Sequence, residues 1–400
     1  MIRRLAFLAF LLMSVSPAYL GALVALQHQP GDASRPWTWR MISEHLPMIR
    51  DAGYTAILLS PHQQACGGQQ SLGYDPYDFR SFQSAHGTEQ ELTDLIRKAH
   101  DLQIQVYADM VLNHMCANQN FTYPRFSKPD FHTSGGIEDW NNQGQVENGS
   151  LFGLEDLKQE SPYVRGELWE FLVKTNNMGF DGYRWDAAKH VPQWYWKEHV
   201  LPNVKSWGKY SFGEVYSGDV GYLSSYIATG MAVTDYALYF LIRDNFRFGG
   251  NLAALDGAGV AGMDGPNALT FVDNHDVDPP TNKLLAYAFI AAYPGYPAFF
   301  DVNLRDKVIN NLVWVQNTLA AGPYVNRYKD ADTIIFTRGD RLLAGINQRG
   351  DWVSQWVSTP WNNTQIHDYT GHVEDESTNA EGRVELWIPP QSYIMMAPLR

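Results

Sequence analysis

The sequence predicts a parallel (β/α)8 TIM barrel, with a short excursion after strand three and an antiparallel β domain at the C-terminal end. Three observations predict it. Short apolar runs alternate with amphipathic helical stretches through the first 320 or so of 400 residues, the pattern of repeated βα units and a parallel sheet. Four of the runs end in acid, base or amide groups: Asp109-Met-Val-Leu-Asn113-His114, Gly182-Tyr-Arg184-Trp-Asp186-Ala-Ala-Lys189-His190, Phe212-Gly-Glu214-Val-Tyr216 and Phe271-Val-Asp-Asn274-His275-Asp276. A parallel barrel assembles its site from the carboxyl ends of successive strands, where these groups would sit. From about Asp330 the period changes to strict apolar–polar alternation, with turns at Arg338-Gly-Asp and Arg349-Gly-Asp.

Taken in order, Leu23–Leu26 reads as strand one, followed by a helix from Met41 to Ala52. Tyr54–Leu59 is strand two, Glu89–Leu102 the second helix, and Ile104–Ala108 the strand that delivers Asp109. Residues 115–153 lose all periodicity and are rich in Asn, Gly, Ser and His. A loop that long inside a barrel is usually functional. Pro162–Asn176 resumes the helical pattern, Gly182–Asp186 is strand four, and Ser211–Val215, Met231–Thr234, Leu269–Val272 and Ala298–Asp301 complete the eight. Arg305–Leu319 closes the barrel as a helix. The domain reading is a leader over 1–18, a barrel over 19–329 interrupted by 115–153, and a β-sheet domain over 330–400.

The N-terminal residues read as an export signal. Met1-Ile-Arg3-Arg4 is basic, Leu5–Val15 is apolar, and Ser16-Pro17-Ala18 offers small residues for cleavage after Ala18. The stretch is too short and too interrupted for a membrane anchor, and no later segment qualifies. An exported, secreted chain is expected to oxidise its cysteines where geometry allows. Cys66 follows strand two and Cys116 follows strand three, in adjacent loops, so two readings stay open: one disulfide, or two independent buried thiols. A net charge of −13 argues against nucleic acid and anionic membrane surfaces as partners and says nothing of a neutral ligand.

The four strand-end segments, and the Arg184-Trp-Asp186-Ala-Ala-Lys189-His190 run above all, resemble the α-amylase family of glycoside hydrolases. The resemblance runs from about residue 22 to the end. It implies retaining endo-hydrolysis of α-1,4-glucans such as starch and glycogen, by an enzyme expected to be monomeric. The same-family alternative is an oligosaccharide-forming or transglycosylating enzyme. A catalytically silent binding protein would lack at least one of Asp186, Glu214 and Asp276, and all three are present.

Glycoside hydrolysis needs one carboxyl to attack and one to donate a proton. Asp186 is the nucleophile candidate: strand alternation puts it on the same face as Arg184, whose guanidinium would keep it ionised. Glu214 is the acid/base candidate, with Tyr216 two residues on to shield it and raise its pKa. Asp276 resembles the family's transition-state stabiliser, and His114 and His275 the histidines that hold the same sugar ring. Tyr74, in Gly73-Tyr-Asp-Pro-Tyr-Asp78, resembles the stacking tyrosine, while Lys189 and His190 stand where the family contacts the leaving-group side. Arg184 itself is expected among the substrate-binding residues, and Asp109 resembles its structural partner. Calcium is implied by Asn113 and Asp156, with the carbonyl of His190 as a third ligand, all of them the oxygen donors this hard cation takes. Trp185 departs from the family's smaller residue and, by alternation, faces the helix layer. Animal-type relatives hold chloride with Arg184, Asn274 and a further basic residue; Tyr293–Asp301 supplies none, so no chloride dependence is expected. The aromatic content of 14% suits sugar stacking, although a large barrel buries many such rings anyway. The C-terminal domain is read as structural, with carbohydrate binding as its alternative role.

Overall fold

The computed structural model describes residues 21–29, 32–300 and 302–399. The expected leader over 1–18, and Asp301 at the end of strand eight, lie outside the described residues. Eight parallel strands close into a barrel: β1 (Leu23–Leu26), β2 (Ala56–Leu59), β3 (Gln105–Val111), β4 (Gly182–Asp186), β5 (Tyr210–Gly213), β6 (Ala232–Thr234), β7 (Ala268–Thr270) and β8 (Tyr296–Phe299). Each pairs with its neighbours in sequence, and β8 returns to β1.

Alternation along the strands explains two separate apolar clusters. Leu23, Ala25, Ala56, Leu58, Tyr107 and Phe212 point inward and fill the barrel. Val24, Leu26, Ile57, Leu59, Val106 and Trp185 point outward and pack under the helices. Trp185 is fully buried there, stacked on Tyr183 at 5.1 Å and beside Trp196 at 5.3 Å. The helices start where their caps dictate. Thr88 makes a capping box with Glu91 at the start of Glu89–Asp101, and Ser161 accepts from Val164 N–H at the start of Pro162–Asn177.

The excursion after β3 is less irregular than its composition suggests. His114–Met115 pairs antiparallel with Glu155–Asp156, pinching its base shut, and Gln143–Asn148 is helical. Cys66 and Cys116 are joined in a disulfide with Cα atoms 6.2 Å apart, tying the loop after β2 to the start of the excursion. Closing a loop of 50 residues restricts the unfolded chain by about 4 kcal/mol on the chain-entropy account.

Behind the barrel a six-stranded antiparallel sheet runs β9 (Tyr324–Lys329), β10 (Thr333–Arg338), β11 (Leu342–Asn347), β16 (Ser392–Pro398), β13 (Gln365–Asp368) and β14 (Glu376–Ser377). A two-stranded sheet, β12 (Val353–Ser358) with β15 (Arg383–Ile388), covers one of its faces through Val357, Leu386 and Ile388. The sheet takes in Tyr324–Lys329, ahead of Asp330, where the sequence pattern changes. That edge strand carries a bulge at Asn326/Tyr328 and is mostly half-exposed, so it lacks the alternation that marks its neighbours. Among the described residues no helix is long and apolar enough to cross a membrane.

Candidate active site

Register creates the centre of the site. In the parallel pairing of β3 with β4, Arg184 is the Cα partner of Asp109. Both face inward, one layer below Asp186. The Arg184 Nη1 donates to both carboxylate oxygens of Asp109 at 2.7 Å and to Asp186 Oδ1 at 3.1 Å. Its Nη2 lies 3.1 Å from Glu214 Oε2, just past the end of β5. One guanidinium, 5% exposed, therefore joins carboxylates from three consecutive strands. Ala187, directly after Asp186, adopts the left-handed conformation (φ 47°) and turns its N–H to Glu214 Oε2 at 2.9 Å. A non-glycine residue held there is strained, and such strain clusters at functional sites.

These contacts set the protonation of the acids. Burial first, then the neighbouring carboxylates Glu214, Asp109 and Asp276, hold Asp186 well above the usual carboxylate range, with Arg184 opposing them. Burial also pushes Glu214 upward, but Arg184 and the Ala187 amide outweigh it and hold Glu214 below its ordinary value. Asp276 is pushed up to about 6, by burial and then by Glu214. The surroundings thus favour the charged form of Glu214 and the neutral forms of Asp186 and Asp276. This differs from the shielding expected of Tyr216, which is 43% exposed and leans on Tyr236 at 4.5 Å. Tyr236 is the tyrosine that reaches the acid: its hydroxyl donates to Glu214 Oε1 at 3.3 Å and accepts from Asn274 Nδ2 at 3.2 Å.

Above the acids opens a cavity of about 710 Å³ whose walls include Asp186, Glu214, Asp276, Tyr74, His114, Lys189, His190 and His275. Arg184 is not on that wall. It lies beneath the acids, in contact with their carboxylates. Tyr74 stacks on His275 with ring centres 5.0 Å apart and donates its hydroxyl to Asp109 at 2.7 Å. His275 Nε2 lies 3.2 Å from Asp276 Oδ2. His114 is bonded to the carbonyl of Tyr74 at 3.0 Å, and burial lowers its pKa to about 4, so it is neutral in neutral solution. Lys189 donates to the Tyr216 carbonyl at 3.1 Å, and His190 is bonded to the Val146 carbonyl in the excursion at 3.0 Å. Trp140 and Phe152, both exposed and both from the excursion, complete the rim.

A catalytic-domain model for α-amylases matches residues 28–226, and a model for the α-amylase C-terminal domain matches residues 342–396. The chain belongs to the α-amylase family. A β/α-amylase of Paenibacillus polymyxa is 33% identical over 248 residues, covering 59% of this chain and 20% of its own. An α-amylase-related protein of Drosophila auraria is 30% identical over 302 residues, covering 64% of this chain and 61% of its own. The chain thus spans a fifth of the first relative's length and about three fifths of the second's. The crystal structure of an Anoxybacillus α-amylase superposes with a TM-score of 0.81 at 23% identity, covering 96% of this chain and 99% of that one.

The three oxygen donors expected around calcium come together at the foot of this amylase-family excursion. The side-chain amide of Asn113 lies 3.0 Å from the carbonyl oxygen of His190 and 3.3 Å from Asp156 Oδ1. With its nitrogen facing them it donates to both. With its oxygen facing them, one carboxylate, one amide and one backbone oxygen converge, the donor set that calcium takes. The His114–Asp156 pairing of the short hairpin brings Asn113 and Asp156 together. Among the described residues no cluster of three His, Cys, Asp or Glu side chains offers a metal site, so a cation here would rest on amide and carbonyl oxygens besides Asp156. His132 escaped the sequence reading: it bridges Asp156 at 2.7 Å and Glu160 at 2.9 Å. Nothing in the irregular stretch around it signals that contact.

Proposed function

We propose that this protein is a retaining endo-hydrolase of α-1,4-glucosidic bonds in starch, glycogen and related glucans. Asp186 attacks the anomeric carbon, and Glu214 protonates the glycosidic oxygen and later activates water. The observation that carries the reading is the single guanidinium of Arg184 organising Asp186 and Glu214 at one cavity, which Asp276 also lines. Arg184 keeps Asp186 aimed and favours its charged form. A glucan that fills the cavity excludes water from Glu214, and that added burial favours the protonated form of the acid. Asp276 and His275 hold hydroxyls of the sugar being cleaved, Tyr74 and His114 line that ring, and Lys189 and His190 face the leaving-group side. Asn113, Asp156 and the His190 carbonyl would hold calcium, which when bound fixes the excursion against the barrel. The leader over 1–18 directs export, and the mature chain acts as a monomer.

Release of reducing ends from soluble starch tests the activity. An NMR time course tests the stereochemistry: the α-anomer should appear first, and initial β-anomer would mean inversion and rule out Asp186 as a nucleophile. Oligosaccharide formation is favoured by one feature, the aromatic pair Trp140 and Phe152, whose ring centres lie 6.1 Å apart on the rim. Such a pair can hold an acceptor sugar where water would otherwise enter, and sizing of the products distinguishes the two outcomes.

A further inference from the structure

The two-stranded sheet of the C-terminal domain places its tryptophans on the outside. Along β12 the buried positions are Val353 and Val357, and along β15 they are Val384, Leu386 and Ile388. The alternate positions face solvent, and there stand Trp356 and Trp387, with Trp352 continuing the same parity just before β12. The register pairs Trp387 with Ser354 and Trp356 with Glu385. Trp387 is therefore diagonal to Trp356 on one side and to Trp352 on the other, so the three rings form a zigzag row. Each is about half exposed, at 54%, 49% and 47% for Trp352, Trp356 and Trp387. A tryptophan left half open forgoes much of the burial energy that normally selects it.

The groups between the rings show what the row fits. Ser354 donates to Glu385 Oε1 at 2.5 Å, and the guanidinium of Arg383 lies 5.6 Å from the centre of the Trp356 ring. Aromatic planes alternate with hydrogen-bonding groups, so the face is not a continuous apolar patch of the kind that joins two subunits. Arg383 and Glu385 balance, and the chain as a whole carries −13, which disfavours a second copy, an anionic lipid surface and nucleic acid alike. A neutral, elongated ligand with apolar ring faces and hydroxyl edges matches both features.

We infer that Trp352, Trp387 and Trp356 form a second carbohydrate-binding site, on the C-terminal domain and separate from the barrel cavity, that takes an extended run of an α-glucan. The choice of α-glucan rests on the proposed function of the barrel; the binding of a sugar chain rests on the face itself. The site would hold polymer to the enzyme while the barrel acts on chains nearby, raising the effective concentration of substrate.

Native gels containing amylopectin test the inference, using the full chain in the Asp186→Asn background so that the polymer survives. Adding Trp356→Ala and Trp387→Ala should weaken retardation at least about fivefold, the effect of losing two stacking anchors. Trp356→Tyr with Trp387→Tyr should keep retardation within about twofold. In the active background the alanine pair should leave kcat/KM on a short soluble malto-oligosaccharide within about twofold and lower the rate on granular starch. Unchanged retardation of the alanine pair overturns the inference. So does a concentration-dependent dimer, seen by sedimentation, that the same pair abolishes, because it would assign the face to a second copy. Should the alanine pair lose its fold, Trp356→Ser and Trp387→Ser singly carry the same test. Failure of the parent to cleave any α-glucan would count against the barrel's proposed activity alone. Tryptophan-dependent retardation would still stand.

Discussion

At the barrel mouth, three carboxylates share one buried guanidinium, while the C-terminal sandwich fills the space between its sheets with Val, Leu and Ile. The first arrangement is poor for stability, because buried like charges repel and each pays for lost hydration. The second is what a fold uses to stay folded. The difference indicates where substitutions should injure function and where they should injure stability, and the two regions should respond in opposite ways.

The largest expected effect lies at the mouth. Asp186→Asn and Glu214→Gln should each lower kcat by roughly a thousandfold or more, in keeping with loss of an acid–base or nucleophilic group, with the melting temperature unchanged or raised. Leu386→Ala in the sandwich should do the reverse, costing about 2–5 kcal/mol of stability while leaving kcat of the folded enzyme intact. Thermal melts and initial rates on the three variants decide it. A melting temperature that falls as far in Asp186→Asn as in Leu386→Ala would break the comparison.

Chelation comes next. Excess chelator should lower the melting temperature by several degrees, since a ligand at a hundred times its Kd adds about 2.7 kcal/mol to the folded state. Asp156→Ala should lower it too and abolish the response to chelator. A melt of the parent that ignores chelator, with no calcium found by elemental analysis, would remove the metal from Asn113 and Asp156.

The pH response should be smaller and have a defined sign. Asp276 has its folded pKa raised to about 6, above its unfolded value. Between the two values the folded chain keeps a proton that the unfolded chain has lost, so stability falls as pH rises through that window. Above about pH 6 the full penalty is present. Asp276→Asn should therefore raise the melting temperature at pH 8 but not at pH 4, by little, because the carboxyl is partly open to water and screened. The smallest expected effect is none: activity in chloride-free buffer should not rise when chloride is added. A large saturable gain would mean that a basic residue outside Tyr293–Asp301 completes an anion site with Arg184 and Asn274.

The sequence by itself determined the barrel and the acids at its mouth. Short apolar runs and helical stretches are local patterns, and Arg184, Asp186, Glu214 and Asp276 stand at strand ends where the fold collects chemistry. Strand parity also placed Trp185 outside the barrel. The tertiary structure decided what no local pattern carries. Tyr236 reaches Glu214 because Asp235, buried at the end of β6, caps the next helix through Leu238 N–H and accepts from Ala261 N–H, which sets the angle at which that helix leaves the strand. Tyr216 lay closer to Glu214 in sequence but turned outward. Arg184 came to lie beneath the acids rather than on the cavity wall because β3 and β4 pair in the register that sets it beside Asp109. His132 found Asp156 across 24 residues of the excursion. The physical reason is the same throughout. Alternation fixes which face a side chain takes, but its partner is set by register, by helix caps and by loop closure, which depend on residues far apart in the chain.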